Sequence, residues 1–312
     1  MINTFNPLQL RRALPLLQKD SVDSELAQLW RQFYKIDFAN YGADLDCRLG
    51  MVEIPDYRLA MQVWRPPQAV ATLLVLHGYY DHMGLYGHVY EWALRQGFAV
   101  LTCDLPGHGL STGKRASINS FQEYQQVVQA LLAKAQQLRL PKPWHLLGQS
   151  TGGAIALDYL LNQKPAPQIG ETILLAPLVR PRAWQQSKLL YQLVKPFRAS
   201  VPRSFSDNSH DPDFLKFVRN DPLQARTLPT AWVGALDDWI TYIEQAKPSG
   251  RSPIIVQGDA DMTVDWQHNL NVLTDKFRDP KILLLPDARH HLANEHVAIR
   301  EYYFQLLTEQ LR

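Results

Sequence analysis

Residues 144–161 read WHLLGQSTGGAIALDYLL, and how this stretch is read decides the fold. The apolar run WHLLGQS has the length of a buried strand, and TGGAIALDYLL has the composition of a helix. Between them stands Gly148-Gln149-Ser150-Thr151-Gly152, a G-x-S-x-G motif. A strand that turns at once into a helix with serine at the apex exposes that hydroxyl. Gly148 and Gly152 leave room for the turn, and Gly153 tolerates close packing of the helix on the sheet. A glycine-rich turn with an incidental serine would carry the same letters. The place of the motif between strand and helix is what marks Ser150 as a nucleophile at an elbow.

The alternation continues outward from this point. ATLLVLHG (71–78), FAVLTCD (98–104), TILLAPL (172–178), PIIVQGD (253–259) and KILLLPD (281–287) are further apolar runs of strand length. Helical stretches separate them. One opens at Ser120–Glu123, an S-x-x-E capping box, and puts Phe121, Tyr124, Val127, Val128 and Leu131 on one face. CRLGMVEI (47–54) and YRLAMQVW (57–64) form a hairpin turning at Pro55-Asp56. Continuous apolar strands separated by amphipathic helices predict an α/β protein. Its central sheet is mostly parallel, of about eight strands, with helices on both faces. Residues 1–45 are expected to be a helical N-terminal extension, with Leu26, Leu29, Trp30 and Phe33 on one stripe. Residues 179–250 break the rhythm with Pro181, Pro196, Pro202, Pro212, Pro222 and Pro229 and no strong strand, which predicts a helical insertion. The core is then 46–178 with 251–312.

Bulk composition narrows the function. The net charge is +2 and the basic residues are spread along the chain, so no nucleic-acid partner is expected. Cys47 and Cys103 form neither a metal spacing nor a disulfide framework, which suits a reducing, cytoplasmic setting. Arg11-Arg12 precede only a five-residue apolar run, too short for a signal segment, which needs roughly 7–15. No run approaches the ~18 apolar residues of a membrane span.

A serine hydroxyl needs a base. In an open sheet the catalytic groups gather in loops past the carboxyl ends of the strands. With the chain order Ser…Asp…His, the base follows Ser150. Five histidines do, and only His290 and His291 stand in a loop just past a strand; His210, His268 and His296 fall in the insertion or in helices. The orienting acid is sought after PIIVQGD. Asp265 suits a helix cap, whereas Asp259 and Asp261 both remain open on spacing alone. The oxyanion donors are expected to be the amides of Thr151 and Tyr79. HGYYDH (77–82) is similar to the H-x-H-x-D-H cluster of two-metal hydrolases, but Tyr79 removes a ligand, so no metal and no cofactor are expected.

Four blocks together, HGYYDH, DLPGHGLS (104–111), GQSTGG (148–153) and GDAD…ARHHLANE, resemble the α/β-hydrolase superfamily, and within it the monoacylglycerol lipase and lysophospholipase branch. The resemblance covers about residues 45–312 and implies the α/β-hydrolase fold. Its G-x-x-D pattern maps Gly258 to Asp261, and its A-x-H-x-L-x-x-E pattern maps to Ala288–Glu295 with His290 as the base. His291 then takes a variable position, expected on the opposite side of the loop and capping the last helix. Many relatives have H-G-x-G-E-H, so Tyr80 and Asp81 alter the pocket near the acyl group. The implied activity is hydrolysis of carboxylic esters of small molecules or monoacylated lipids, with 179–250 as a cap (lid) over the acyl pocket. An acyltransferase, an aminopeptidase or a non-catalytic binding protein on this scaffold are the alternatives. Residues 180–203 hold six basic side chains and no acidic one, beside LLYQLV (189–194). They are expected either to dock transiently on anionic lipid or to pack their apolar side inward with a solvated basic side.

Overall fold

The computed structural model describes residues 5–21, 23–42 and 44–311. Its strands are β1 (Asp46–Ile54), β2 (Tyr57–Arg65), β3 (Ala71–Leu76), β4 (Phe98–Cys103), β5 (Trp144–Gln149), β6 (Ile169–Leu175), β7 (Ser200–Pro202), β8 (Thr227–Pro229), β9 (Ile254–Gly258) and β10 (Lys281–Leu285). The helices are α1 (Pro7–Ala13), α2 (Glu25–Phe33), α3 (Gly87–Arg95), α4 (Gln122–Gln137), α5 (Thr151–Asn162), α6 (Trp184–Val194), α7 (Pro212–Asn220), α8 (Thr230–Glu244), α9 (Trp266–Lys276) and α10 (Val297–Leu311). None among the described residues is long and apolar enough to cross a membrane.

Eight strands form one sheet in the order β1-β2-β4-β3-β5-β6-β9-β10. The hairpin β1–β2 is antiparallel and joins β4 antiparallel; every pairing from β4 to β10 is parallel. β3, β4 and β5 are buried along their whole length, as continuous apolar runs in a sheet covered on both faces should be. β10 departs from that rule. Ile282 and Leu284 are exposed, because β10 is an edge strand with β9 as its one neighbour. The capping box forms with a shift: Glu123 accepts from the Ser120 amide, while Ser120 Oγ accepts from Gln122 rather than from Glu123.

The N-terminal extension is not continuously helical. Pro15 holds Leu14 extended (ψ 122°), and the chain then runs beside β1, with Leu17 N donating to Met51 O and Met51 N to Pro15 O. The expectation of helix at residues 1–4 lies outside the described residues. The insertion also differs from a purely helical one: β7 and β8 pair as a short antiparallel ribbon between its helices. α8 sends Trp232 and Trp239 inward, onto Tyr124 of α4 and Asp158 of α5.

The turn from β5 into α5 presses backbone closely against backbone. A Cβ on Gly148 would stand 2.2 Å from Gly152 O, and one on Gly152 would stand 2.1 Å from Leu76 O. Both obstacles are backbone and cannot rotate away. Gly148→Ala and Gly152→Ala should each lower stability by upward of ~3 kcal/mol or prevent folding, whereas Gly250→Ala, with open space around it, should be near neutral. Thermal melts followed by circular dichroism compare the three; a Gly152→Ala protein as stable as the parent contradicts the packing.

Candidate active site

Ser150 stands at the apex of the β5–α5 turn with φ 53° and ψ −113°, a conformation that costs an L-residue energy and persists because the packing around it leaves no alternative. Its amide donates to Leu175 O of β6 (2.9 Å), and its carbonyl accepts from Ala154 N (2.9 Å) and Leu178 N (3.1 Å). The side chain is therefore held at the carboxyl end of the sheet, over the N-terminus of α5, where partial positive charge gathers. The amides of Thr151 and Tyr79 have no backbone acceptor among the described residues. The Tyr79 side chain is engaged elsewhere: its hydroxyl donates to Ala116 O and its ring stacks on Trp232 at 3.6 Å.

His290 approaches this serine from the loop after β10. Its Nε2 lies 2.9 Å from Ser150 Oγ, and its Nδ1 lies 2.7 Å from Asp261 Oδ2. With Nδ1–H donating to the carboxylate, Nε2 is left to accept the serine proton. Asp261 also accepts from the Thr263 and Val264 amides through Oδ1 and from Gln257 Nε2 through Oδ2. Burial pushes this carboxyl up, but the His290 ring and the donated hydrogen bonds outweigh it and hold the group below the usual carboxylate range. Asp259 instead accepts from the Asp287 amide as an exposed turn residue, and Asp265 caps α9 and pairs with Arg180. Of the histidines and acids left open by spacing, the fold brings His290 and Asp261 to Ser150.

His291 does not cap the last helix. Its Nε2 meets Asp81 Oδ2 at 3.1 Å, and Tyr86 OH donates to that same oxygen at 2.8 Å. The residues of HGYYDH turn to separate partners. His77 bonds Gly78 O and accepts from Leu105 N, and His82 Nε2 bonds Asp221 at 2.7 Å. Asp104 of the DLPGHGLS block accepts from Met83 N and Leu110 N, so this block braces the loop that carries Tyr79. Glu295 is fully buried and accepts from the amides of Arg289, His210 and His296, which shapes the loop around His290. Gln149 belongs to the same support and no motif position marks it: its Nε2 donates to His290 O at 2.8 Å. The one signal is a polar side chain at the end of an otherwise apolar strand.

A family model described as serine aminopeptidase, S33, matches residues 67–297. The chain belongs to this family. It is similar to phospholipase YtpA of Bacillus subtilis, 30% identical over 178 residues, which are 55% of this chain and 68% of that protein. It is also similar to the monoacylglycerol lipase of Mycolicibacterium smegmatis (26% identical, 76% of this chain and 88% of that one) and to human monoglyceride lipase (26%, 77% and 81%). Among solved structures, the monoacylglycerol lipase of Paleococcus ferrophilus superposes with a TM-score of 0.69 at 20% identity, covering 81% of this chain and 98% of that one. A soluble variant of the Saccharomyces cerevisiae monoglyceride lipase gives 0.72 at 18% identity, covering 85% and 94%. The fold of this S33 member is that of the α/β-hydrolases, and it groups with their monoacylglycerol lipase branch.

Two measurements follow from the geometry. Labelling of the native protein by a fluorophosphonate should be lost in Ser150→Ala and His290→Ala, and largely kept in His291→Ala; the reverse order for the two histidines would sink the assignment. Asp261, Asp221, Asp81 and Glu295 all have carboxyls held below their ordinary range, so the unfolded chain takes up protons at a higher pH than the native one. Their contribution to stability is complete above the ordinary carboxylate range and is lost as pH falls through it toward the native values. The urea midpoint should drop between about pH 6 and pH 3; a flat midpoint contradicts the burial of these pairs.

Proposed function

We propose that the protein hydrolyses carboxylic esters of monoacylated lipids through an acyl-serine intermediate. The observation that carries the reading is the chain of short contacts from Ser150 Oγ through His290 to Asp261, beside two amides free to receive an oxyanion. Ser150 Oγ attacks the ester carbonyl while its proton passes to His290 Nε2. Asp261 keeps the imidazole in the right tautomer and stabilises it once charged. The Tyr79 and Thr151 amides take the charge on the tetrahedral oxygen. Collapse breaks the bond to the leaving alcohol, which carries off the proton from His290. Water, deprotonated by the same nitrogen, then releases the fatty acid. Each step uses groups of this chain alone, with no cofactor or metal. Two thiols, Cys47 and Cys103, stand free, in keeping with a cytoplasmic setting.

The aminopeptidase in the family description is the second reading. A peptidase of that kind needs an anion near the serine for a substrate ammonium. Asp81 is close by, but it already receives Tyr86 and His291, which favours the ester reading.

Residues 179–250 act in this reading as the cap over the acyl site. α6 and the residue turn after it present Leu189, Leu190, Leu193 and Phe197 to solvent, at 60, 62, 64 and 86% exposure. Trp184 packs inward, with Tyr191 and Val194 half-buried on the same side, so the leucines form a second, outward apolar ridge on α6. The basic residues divide: Arg180 pairs with Asp265 and Lys188 with Asp237, while Arg182, Lys195 and Arg198 stay exposed. An outward apolar ridge rimmed by free cations suits brief contact with an anionic lipid surface, from which a monoacylated lipid is drawn.

In an ester panel of rising acyl length with monoglyceride and lysophospholipid, turnover should be substantial, and Asp261→Asn should lower kcat by ~10⁴. A negligible response across the panel removes the lipase reading. In co-sedimentation, Leu190→Ser/Leu193→Ser should lose binding to anionic vesicles; equal partitioning of the parent to neutral and anionic vesicles sinks the docking.

A further inference from the structure

The two edges of the eight-stranded sheet are finished differently. At β1 the chain covers its own edge: Leu17 N donates to Met51 O, and Met51 N donates to Pro15 O. At β10 nothing among the described residues takes that place, and β9 is its one neighbour. Lys281 N donates to Pro253 O, and Leu285 O accepts from Asp259 N. The backbone of Lys281, Leu283 and Leu285 is thus turned toward β9. Backbone groups alternate along a strand, so the N–H and C=O of Ile282 and of Leu284 point outward. None of these groups has a backbone partner among the described residues.

The side chains do not guard this edge either. Ile282 and Leu284 are apolar and are 38% and 47% exposed, at positions where an edge strand left in water commonly carries a charge. Lys281 is the one charged residue of β10, and Gln310 Oε1 holds its Nζ. Pro280 and Pro286 stand in phase with Ile282 and Leu284, so no further N–H faces outward at either end. Beyond them Asp279 and Asp287 take φ 53° and 58°, and the chain leaves the line of the strand on both sides.

A second copy of the same strand matches this edge. In an antiparallel pair with its twofold axis at Leu283, Ile282 of one copy lies opposite Leu284 of the other. Every outward N–H and C=O of both residues then has a partner. An axis at Ile282 or at Leu284 brings a proline opposite instead and leaves a carbonyl unpaired. The register at Leu283 also places the two Lys281 side chains at opposite ends of the ribbon. It gathers Ile282 and Leu284 of both copies on one face, where each covers apolar surface of the other.

We propose that β10 is a dimer interface, through which two copies of this chain join in an antiparallel β10–β10 pair centred on Leu283 and form one continuous sheet. The axis crosses the sheet. The carboxyl ends of the strands, and Ser150 with them, then point in opposite directions in the two copies. A five-residue edge makes a small contact, so the dimer forms as concentration rises.

Sedimentation velocity on the full chain should show the mass rising from one chain to two with concentration. Leu284→Lys should raise the dissociation constant at least about tenfold, with the circular dichroism and the labelling of Ser150 unchanged. A monomer at every concentration overturns the proposal. So does a dimer that Leu284→Lys leaves intact, or one that Leu190→Ser/Leu193→Ser abolishes, since the ridge of α6 is then the interface. Two further arms do not depend on the lysine variant. Amide hydrogen exchange across residues 281–285 of the native protein should slow as concentration rises, and exchange independent of concentration overturns the pairing. Under mild oxidation Leu283→Cys should link two chains, because it faces its own copy with Cα atoms about 4.5 Å apart, within disulfide range. Ile282→Cys, displaced along the strand from its own copy, should link far less. Equal linking at both positions, or more at 282, overturns the register.

Discussion

Backbone pressed against backbone at the end of β5 is the constraint on which the rest of the molecule depends. Gly152 packs on the carbonyl of Leu76 at the end of β3, and Gly148 packs on Gly152. No side chain fits in either gap. That contact seats α5 directly on the sheet, and the chain must reverse from strand to helix over a single residue. Ser150 takes the strained conformation that results. Its exposure to substrate, its distance from His290 and the open amides at the start of α5 all follow from the same crowding.

A strained serine is useful only if its partners are equally fixed. The support comes from polar side chains that bond to backbone rather than to one another. Gln149 holds the carbonyl of His290, Glu295 collects the amides of Arg289 and His296 from its own loop and that of His210 from the insertion, and Asp104 ties the loop of Tyr79 to the end of β4. Each is buried, so leaving its partners unpaired would cost more than the bond itself contributes.

The extension and the insertion are bound into the same framework. Tyr34, just after α2, donates to Asp221 Oδ1, and His82 holds Asp221 Oδ2; all three are buried. Asp221 directly follows α7, so one buried carboxylate joins the N-terminal extension, the loop after β3 and the insertion. Phe33 and Tyr34 pack on Phe217 of α7 beside it. By contrast α6 is attached chiefly through Trp184 and the Lys188–Asp237 pair, and it carries the exposed apolar ridge. The insertion thus has an anchored part and a part that faces outward.

Local chemistry made much of this legible in the sequence. Apolar runs of strand length, amphipathic helices between them and a G-x-S-x-G at one junction depend on near neighbours, and so do the elbow and the order of the parallel sheet's elements. Spacing also narrowed the base to His290 or His291 and the acid to Asp259 or Asp261, with family resemblance favouring one of each. Tertiary structure decided what depends on distant partners. His291 turns to Asp81, 210 positions away, and Asp221 gathers Tyr34 and His82. Lys188 and Arg180 meet acids that their own stretch lacks, and the leucine ridge of α6 faces water while Trp184 packs inward. A periodic pattern reports that a helix has an apolar face, but which way the face points is set by the neighbours it finds. Pairings between single polar side chains leave no periodic trace, so only the folded chain reveals them.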